Sequence, residues 1–347
     1  MPLRFPAAFV VVDADTGAVI TGLDDRTPRR PASTTKILTA LVVRSRLERD
    51  APVTISARAA ATPARKLTLE VGETWRAGDL LRAMLICSCN DAAVALAEAA
   101  GGDLEGFARL AQERAGALGL RDHPTLVDPS GLDGESSVKG GNLISARDLA
   151  IATRAFLADG LLASIAVAPN HRFVGGDGEI HEVVNHNQLL GLYPGAIGVK
   201  TGFTRQSGSS LVAAARRNGR TIIVVLLDSP DVYLQARQLL DIGFATLTEE
   251  LDRLPLLTAA EEQARTTTTT TTTPPTRERS SAPTTAEPPA AVPVSREPSA
   301  QRVTSSASGA WWPLVMGAVV ALTALVGLRR RQVVRHRRRR DAARPLP

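Results

Sequence analysis

The chain has 347 residues, 44% of them apolar, which suffices for one large domain or two small ones. Its formal charge of +6 is unevenly placed: residues 329–347 hold nine Arg and one Asp, a sum of +8, so residues 1–328 sum to −2. A basic nucleic-acid-binding face on the globular part is thereby excluded, and two cysteines are too few for a disulfide framework.

Residues 8–13 are apolar and β-branched, Asp15-Thr16-Gly17 signals a turn, and residues 18–21 resume the pattern, so the chain opens on a hairpin. Residues 7–12 are too short and too β-like for an export signal, and residues 1–5 hold a single Arg. Pro31-Ala32-Ser33-Thr34-Thr35-Lys36 then opens an apolar helical run over 37–42. A short strand is expected around 53–55, followed by residues 67–71 and a turn at Gly72-Glu73. Helices over 79–86 and 92–100 flank a polar loop, Cys87-Ser88-Cys89-Asn90-Asp91. With one residue between them, the two cysteines are too close for an easy disulfide and are read as small buried residues, with Cys89 exposing the loop to oxidation.

Further along, residues 104–118 read as an amphipathic helix, 128–134 as a dense turn, and Ser145 as the N-cap of a helix through 157 with Asp148 in its first turn. Strands are expected over 197–201, 209–216 and 221–227, with Asn218-Gly219 a strong hairpin signal, and a closing helix over 232–245. Strands at both ends with helices between predict an α+β fold: one antiparallel sheet joined from both termini and covered by helices.

Composition shifts near Leu257. An unbroken Thr run over 266–273 leads into Pro, Ser, Thr and Ala to about residue 309, the signature of a disordered or polyproline-like linker suited to O-glycosylation. Residues 310–328 carry no charge, begin with Trp311-Trp312 and end at a block of Arg. At about 1.5 Å per residue this stretch is about 28 Å long, enough to cross a bilayer core. The sequence therefore divides into a globular domain at 1–256, a linker at 257–309, a transmembrane helix at 310–328 and an Arg-rich cytoplasmic tail at 329–347. That topology puts the domain on the extracytoplasmic face of the cell membrane and calls for an export signal upstream of residue 1.

Only four of the 41 basic residues are Lys: Lys36, Lys66, Lys139 and Lys200. A Lys can give up its proton near neutral pH when desolvated, which an Arg cannot. Ser33 and Lys36 are three residues apart, on one face of the expected helix, where a desolvated Lys would activate the Ser hydroxyl. A second Ser-x-x-Lys, Ser136 to Lys139, sits in a Gly-rich loop with no helix following. Two further elements occur once each: Ser88-x-Asn90 between helices, and Lys200-Thr201-Gly202 at the end of a strand. The pair His181 and His186 is five apart where a His-Glu-x-x-His zinc site needs four, and no metal or organic cofactor is implied.

These three elements in this order form the active-site set of penicillin-binding proteins and serine β-lactamases. The segments Pro31 to Ala40, Ser88 to Ala93 and Gly198 to Thr204 resemble the low-molecular-weight D-alanyl-D-alanine carboxypeptidases, and the likeness extends over about residues 8–250, including Gly131-Leu132-Asp133. The resemblance implies a serine β-lactamase/penicillin-binding-protein-like transpeptidase fold. It implies catalytic roles for Ser33 as nucleophile, Lys36 as general base and Ser88 as proton relay. Asn90, Lys200, Thr201 and Gly202 would bind substrate, and the backbone N–H groups of Ser33 and Phe203 would hold the oxyanion. The implied partners are the peptidoglycan stem peptide as substrate and β-lactams as covalent inhibitors; nothing is implied about oligomeric state.

This chain departs from the family at Cys89, where small residues are usual, and in passing from the catalytic domain to the linker without the extra β domain of many relatives. The rival readings are a serine β-lactamase, a peptidoglycan DD-endopeptidase, and an inactive membrane-anchored wall-binding protein. Against the first, the only Glu between Leu120 and Asn142 is Glu135, and it lacks the Glu-x-x-x-Asn pattern of class A enzymes. Against the last, Ser33, Lys36 and Lys200 are intact.

Overall fold

The computed structural model describes residues 5–271. Near the N terminus, β1 (Ala8–Asp13) and β2 (Val19–Leu23) form the expected hairpin. Two small pairs follow: β3 (Pro52–Thr54) with β4 (Thr74–Arg76), and β5 (Asn170–Val174) with β6 (Ile180–Val184). The last strands, β7 (Ala196–Thr204), β8 (Gly208–Arg217) and β9 (Arg220–Leu227), close back onto β1. The main sheet is antiparallel in the order β2-β1-β9-β8-β7, so strands from both ends of the domain meet as the α+β reading expects.

The central strand β9 is buried from Thr221 to Leu227 because both of its faces are covered. Ile223, Val225 and Leu227 share one core with Val10, Val12 and Val212, while Ile222, Val224 and Leu226 share the other with Val11, Leu211 and Leu240. Each such aliphatic side chain contributes about 1.5–3 kcal/mol by leaving water. Register is fixed by the turn into β9, where Asn218 (φ 51°) and Gly219 (φ 79°) both adopt the left-handed conformation and Arg217 faces Arg220.

The helix Val232–Ala245 covers one face of the sheet. Packed on the other are Lys36–Arg44, Ala77–Ile86, Asn90–Gly101, Leu104–Leu118 and Ala146–Ala158. Local signals set several boundaries: Asp103 accepts the Gly106 N–H at 2.6 Å, Ser145 accepts the Asp148 N–H at 2.9 Å, and Gly119 (φ 79°) ends the helix begun at Leu104. The Lys36–Arg44 helix is buried at every position from Lys36 to Val43. A helix apolar on all sides belongs in the interior, and this one takes Lys36 in with it.

The fold differs from the sequence reading in five places. β3 pairs with Thr74–Arg76, a strand just past the expected turn at Gly72-Glu73, and Asn90 and Asp91 begin a helix instead of ending a loop. The β5–β6 hairpin has no counterpart among the expected strands. Cys87 and Cys89 are joined in a disulfide: the left-handed turn at Ser88 (φ 63°) brings their Cα atoms to 5.4 Å, closer than the roughly 6.6 Å of an extended i, i+2 pair. Finally, the linker expected from residue 257 is ordered at its start. Leu257 is buried with its N–H on Gly17 O at 2.9 Å, and Ala259–Thr271 is helical, held by Arg154 to Glu261 and by Leu256 N–H to Glu262 Oε1 at 2.6 Å. The rest of the linker, the 310–328 span and the Arg-rich tail lie outside the described residues. No single helix among the described residues is long and apolar enough to cross a membrane.

Candidate active site

Ser33 lies in a 3₁₀ turn, Ala32–Thr35, that feeds directly into the buried helix beginning at Lys36. The expected helix thus starts one turn later than Ser33, yet the Ser and Lys still meet: Lys36 Nζ donates to Ser33 Oγ at 3.0 Å. The same ammonium nitrogen donates to Asn90 Oδ1 at 2.7 Å and to Ser130 O at 2.5 Å, so three acceptors fix its position. Lys36 is 0% exposed. Burial strips its charge of water and pushes its pKa down to about 7; Asp128 and Asp91 oppose the fall and Arg65 adds to it. A lysine at its ordinary value would be neutral at pH 7 in about one molecule in 3,000, so this shift converts a rare base into an available one.

The loop behind Ser33 is organised by Asp128 and Asn142. Asp128 Oδ1 accepts from Ser130 N (2.8 Å), Ser130 Oγ (2.6 Å) and Gly131 N (2.9 Å), while Oδ2 accepts from Val138 N at 2.9 Å. Asn142 Nδ2 donates to Thr35 Oγ1 and to Asp128 O, both at 2.7 Å. Gly131 (φ 79°) packs so tightly that a Cβ there would stand 2.0 Å from Ala32 O. The loop is therefore stapled to the Ser33 turn, which is why Ser130 O can face Lys36 Nζ.

Strand β7 forms the facing wall. A Cβ on Gly202 would fall 3.0 Å from Ser33 N, so the glycine lets the strand backbone lie against Ser33. Lys200 is 2% exposed and donates from Nζ to Thr201 O at 2.9 Å. Burial pushes its pKa well below the ordinary lysine value, and Lys36 and Arg65 push the same way. Ser33, Ser88, Asn90, Thr201, Gly202 and Phe203 line one cleft of about 380 Å³. All the residues singled out from the sequence as catalytic or binding groups thus converge here, with Lys36 and Lys200 beneath the surface. Ser88 is buried, and no hydrogen bond reaches its hydroxyl among the described residues. Among the described residues no Asp or Glu lines this cleft. A larger cleft of about 780 Å³ adjoins it across Leu132 and carries Glu98, Asp103, Glu105 and Asp128.

The two Ser-x-x-Lys matches part company. Lys139 turns out to solvent and pairs with Glu105 at 3.3 Å, whereas Lys36 is enclosed. The two histidines also separate: His181 stacks on Phe173 and meets Trp75 edge-on, and His186 lines the cleft.

A family model of the D-alanyl-D-alanine carboxypeptidases, peptidase S11, matches residues 6–231. The chain belongs to this family. The D-alanyl-D-alanine carboxypeptidase DacB2 of Mycobacterium tuberculosis is 34% identical over 243 residues, 68% of this chain and 81% of that protein. DacF of Bacillus subtilis is 31% identical over 244 residues, 68% of this chain and 61% of its own length. Among solved structures, the D-alanyl-D-alanine carboxypeptidase of M. tuberculosis H37Rv matches with a TM-score of 0.66 at 32% identity, covering 72% of this chain and 94% of that one. A mutant of the Streptomyces K15 DD-transpeptidase matches at 0.63 and 29%, covering 71% and 100%. The α+β architecture is that of the penicillin-binding proteins.

For this family member, the sequence reading missed Asp128, Ser130 and Asn142. The only local signal was the density of turn formers over 128–134: Asp128 bonds within its own loop, and the contacts that bring the loop to the site are distant, 97 residues from Ser33 to Ser130 and 107 from Thr35 to Asn142.

Proposed function

We infer that this chain is a serine-type D-Ala-D-Ala carboxypeptidase that removes the terminal D-alanine from peptidoglycan stem peptides and is acylated by penicillins. The observation that carries the reading is the enclosed Lys36 Nζ, 3.0 Å from Ser33 Oγ with its pKa brought down to about 7. Ser33 Oγ attacks the carbonyl carbon between the two D-alanines as its proton passes to Lys36 Nζ. The N–H groups of Ser33 and Phe203 hold the oxyanion. Collapse breaks the C–N bond, and the departing amine takes the proton from Lys36 by way of Ser88. Asn90 holds the substrate amide, and Lys200 with Thr201 receives the terminal carboxylate. Water then cleaves the Ser33 ester and frees the shortened peptide.

The absence of a carboxylate from the cleft favours this reading over a class A β-lactamase, which needs one to activate the deacylating water. Labelling with a fluorescent penicillin, together with incubation of the chain with a pentapeptide ending in D-Ala-D-Ala, tests it. One D-alanine released per peptide and an adduct lost in Ser33→Ala support it; an adduct that survives Ser33→Ala refutes the nucleophile, and cleavage of cross-linked dimers alone indicates an endopeptidase.

The uncharged stretch at 310–328 and its Arg-rich flank support a single-pass anchor with the catalytic domain outside the cell. Protease added to intact cells should remove the domain; a domain protected until the membrane is opened would overturn the topology.

A further inference from the structure

The wall of the cleft opposite β7 is built by the segment carrying Ala64 and Arg65, and that segment is fixed at several points. Asn90 N–H donates to Arg65 O at 2.8 Å, and Asn90 Nδ2 to Pro63 O at 3.2 Å. Buried Asp91 accepts from Thr68 N at 3.0 Å and Leu69 N at 3.4 Å. Ala64 (φ 59°) and Thr68 (φ 66°) are in the left-handed region on either side of Arg65. Its backbone is thus tied to the substrate-facing end of the Asn90 helix while its side chain stays exposed. No carboxylate pairs with that guanidinium among the described residues, and none lines the cleft it faces.

The register of β7 says which part of a substrate this cation meets. Ser33 N lies against Gly202, so the scissile carbonyl sits at that level. A strand advances about 3.3 Å per residue, so a leaving group one residue long ends at the level of Thr201 and Lys200. Arg65 is the one permanently charged side chain among the residues that line this cleft with Ser33 and Thr201. Its field reaches both Lys200 and His186 and helps lower the proton affinity of each, after burial. Burial and the neighbouring cations thus disfavour the charged forms of Lys200 and His186. A guanidinium keeps its charge and offers two parallel N–H donors to a carboxylate.

We propose that Arg65 is a specificity-determining residue of this carboxypeptidase, reading the free carboxylate of the terminal D-alanine from the wall opposite Lys200 and Thr201. This rests on the carboxypeptidase reading above and adds a recognition group that none of the three sequence motifs contains. An exposed Arg held only by its backbone is reachable by a peptide arriving from water, and in a cleft without carboxylates it draws anions inward.

The test compares the full chain with Arg65→Gln and Arg65→Lys on two stem-peptide analogues, one ending in D-Ala-D-Ala with a free carboxylate and one with a terminal carboxamide. Release of D-alanine or D-alaninamide is followed across pH. For Arg65→Gln the KM of the free-carboxylate peptide should rise about tenfold or more, the loss of about 1.4 kcal/mol of binding, while kcat changes much less. The carboxamide peptide should be handled as by the wild type, and Arg65→Lys should recover part of the loss. Equal losses on both peptides, with the acid limb of the pH profile displaced, would show that Arg65 acts only through Lys36 and would overturn the proposal; so would two unchanged peptides. A wild-type chain that takes up penicillin on Ser33 yet releases nothing from either peptide removes the carboxypeptidase reading itself, and the proposal with it.

Discussion

Asn142 donates a 2.7 Å hydrogen bond to Thr35 Oγ1 across 107 residues of sequence, with its second amide hydrogen on Asp128 O and its oxygen accepting from Val127 N and Asp128 N. A single buried amide thereby joins the Ser33 turn to the loop that presents Ser130 O to Lys36.

Replacing Asn142 with Ala should strand several buried donors and acceptors at once. The expected cost is about 2–3 kcal/mol, visible as a lowered denaturation midpoint. Penicillin acylation should slow as well, because the loop no longer holds Lys36 against Ser33; an unchanged midpoint would mean that water replaces the amide without loss.

Gly131→Ala tests the same junction by crowding instead of by deletion. The added methyl would stand 2.0 Å from Ala32 O at a left-handed position, so the loop must retreat from the nucleophile. Destabilisation of about 1–3 kcal/mol and a sharp drop in acylation rate are expected, measured by chemical denaturation and by fluorescent-penicillin labelling.

Lys36 sets the pH dependence. The base works only when unprotonated, and burial brings its pKa from the usual lysine value to about 7. The rate of acylation should therefore rise as pH increases through about 7 and flatten above it. Lys36→Arg should lose about a thousandfold or more at every pH, since a guanidinium retains its proton. A profile that is flat from pH 5 to 8 would exclude Lys36 as the titrating base.

The Ala259–Thr271 helix gives a prediction about boundaries. A chain ending at residue 256 loses the buried Leu257, the Leu257 N–H to Gly17 O bond and the pair between Arg154 and Glu261. It should melt below a chain ending at residue 276. Burial by itself would raise the Glu261 pKa, but Arg154 and Thr258 outweigh it and hold it below the usual value. That contribution is present above the unfolded value near 4.5 and is lost as pH falls through the lower folded value, so the difference between the two chains should narrow in acid.

The parts of this fold legible in the sequence are those whose cause is local. Residues 104–118 and 232–245 show helical periodicity and correspond to helices with those same bounds, Leu104–Leu118 and Val232–Ala245. Asn218-Gly219 announces its turn because few other residues tolerate two left-handed positions in succession. Ser33, Lys36 and Lys200 stood out by residue type and spacing. Asp128, Ser130 and Asn142 did not, since the loop they organise becomes recognisable as part of the site only once its contacts with the distant Ser33 turn are known. The Thr-rich start of the linker misled for the opposite reason: weak helix propensity over 266–271 is overridden by the docking of Leu257, Glu261 and Glu262 upstream.

The cleft beside Ser33 contains no carboxylate, and this bears on the second half of the reaction. On the proposed mechanism Lys36 is the base at hand, and it would serve twice, once to make the ester and once to break it. The lifetime of the ester then depends on a nitrogen that does not distinguish among incoming nucleophiles. Water wins by abundance alone, and a neighbouring strand's amine brought close enough would be joined to the peptide instead of letting it go.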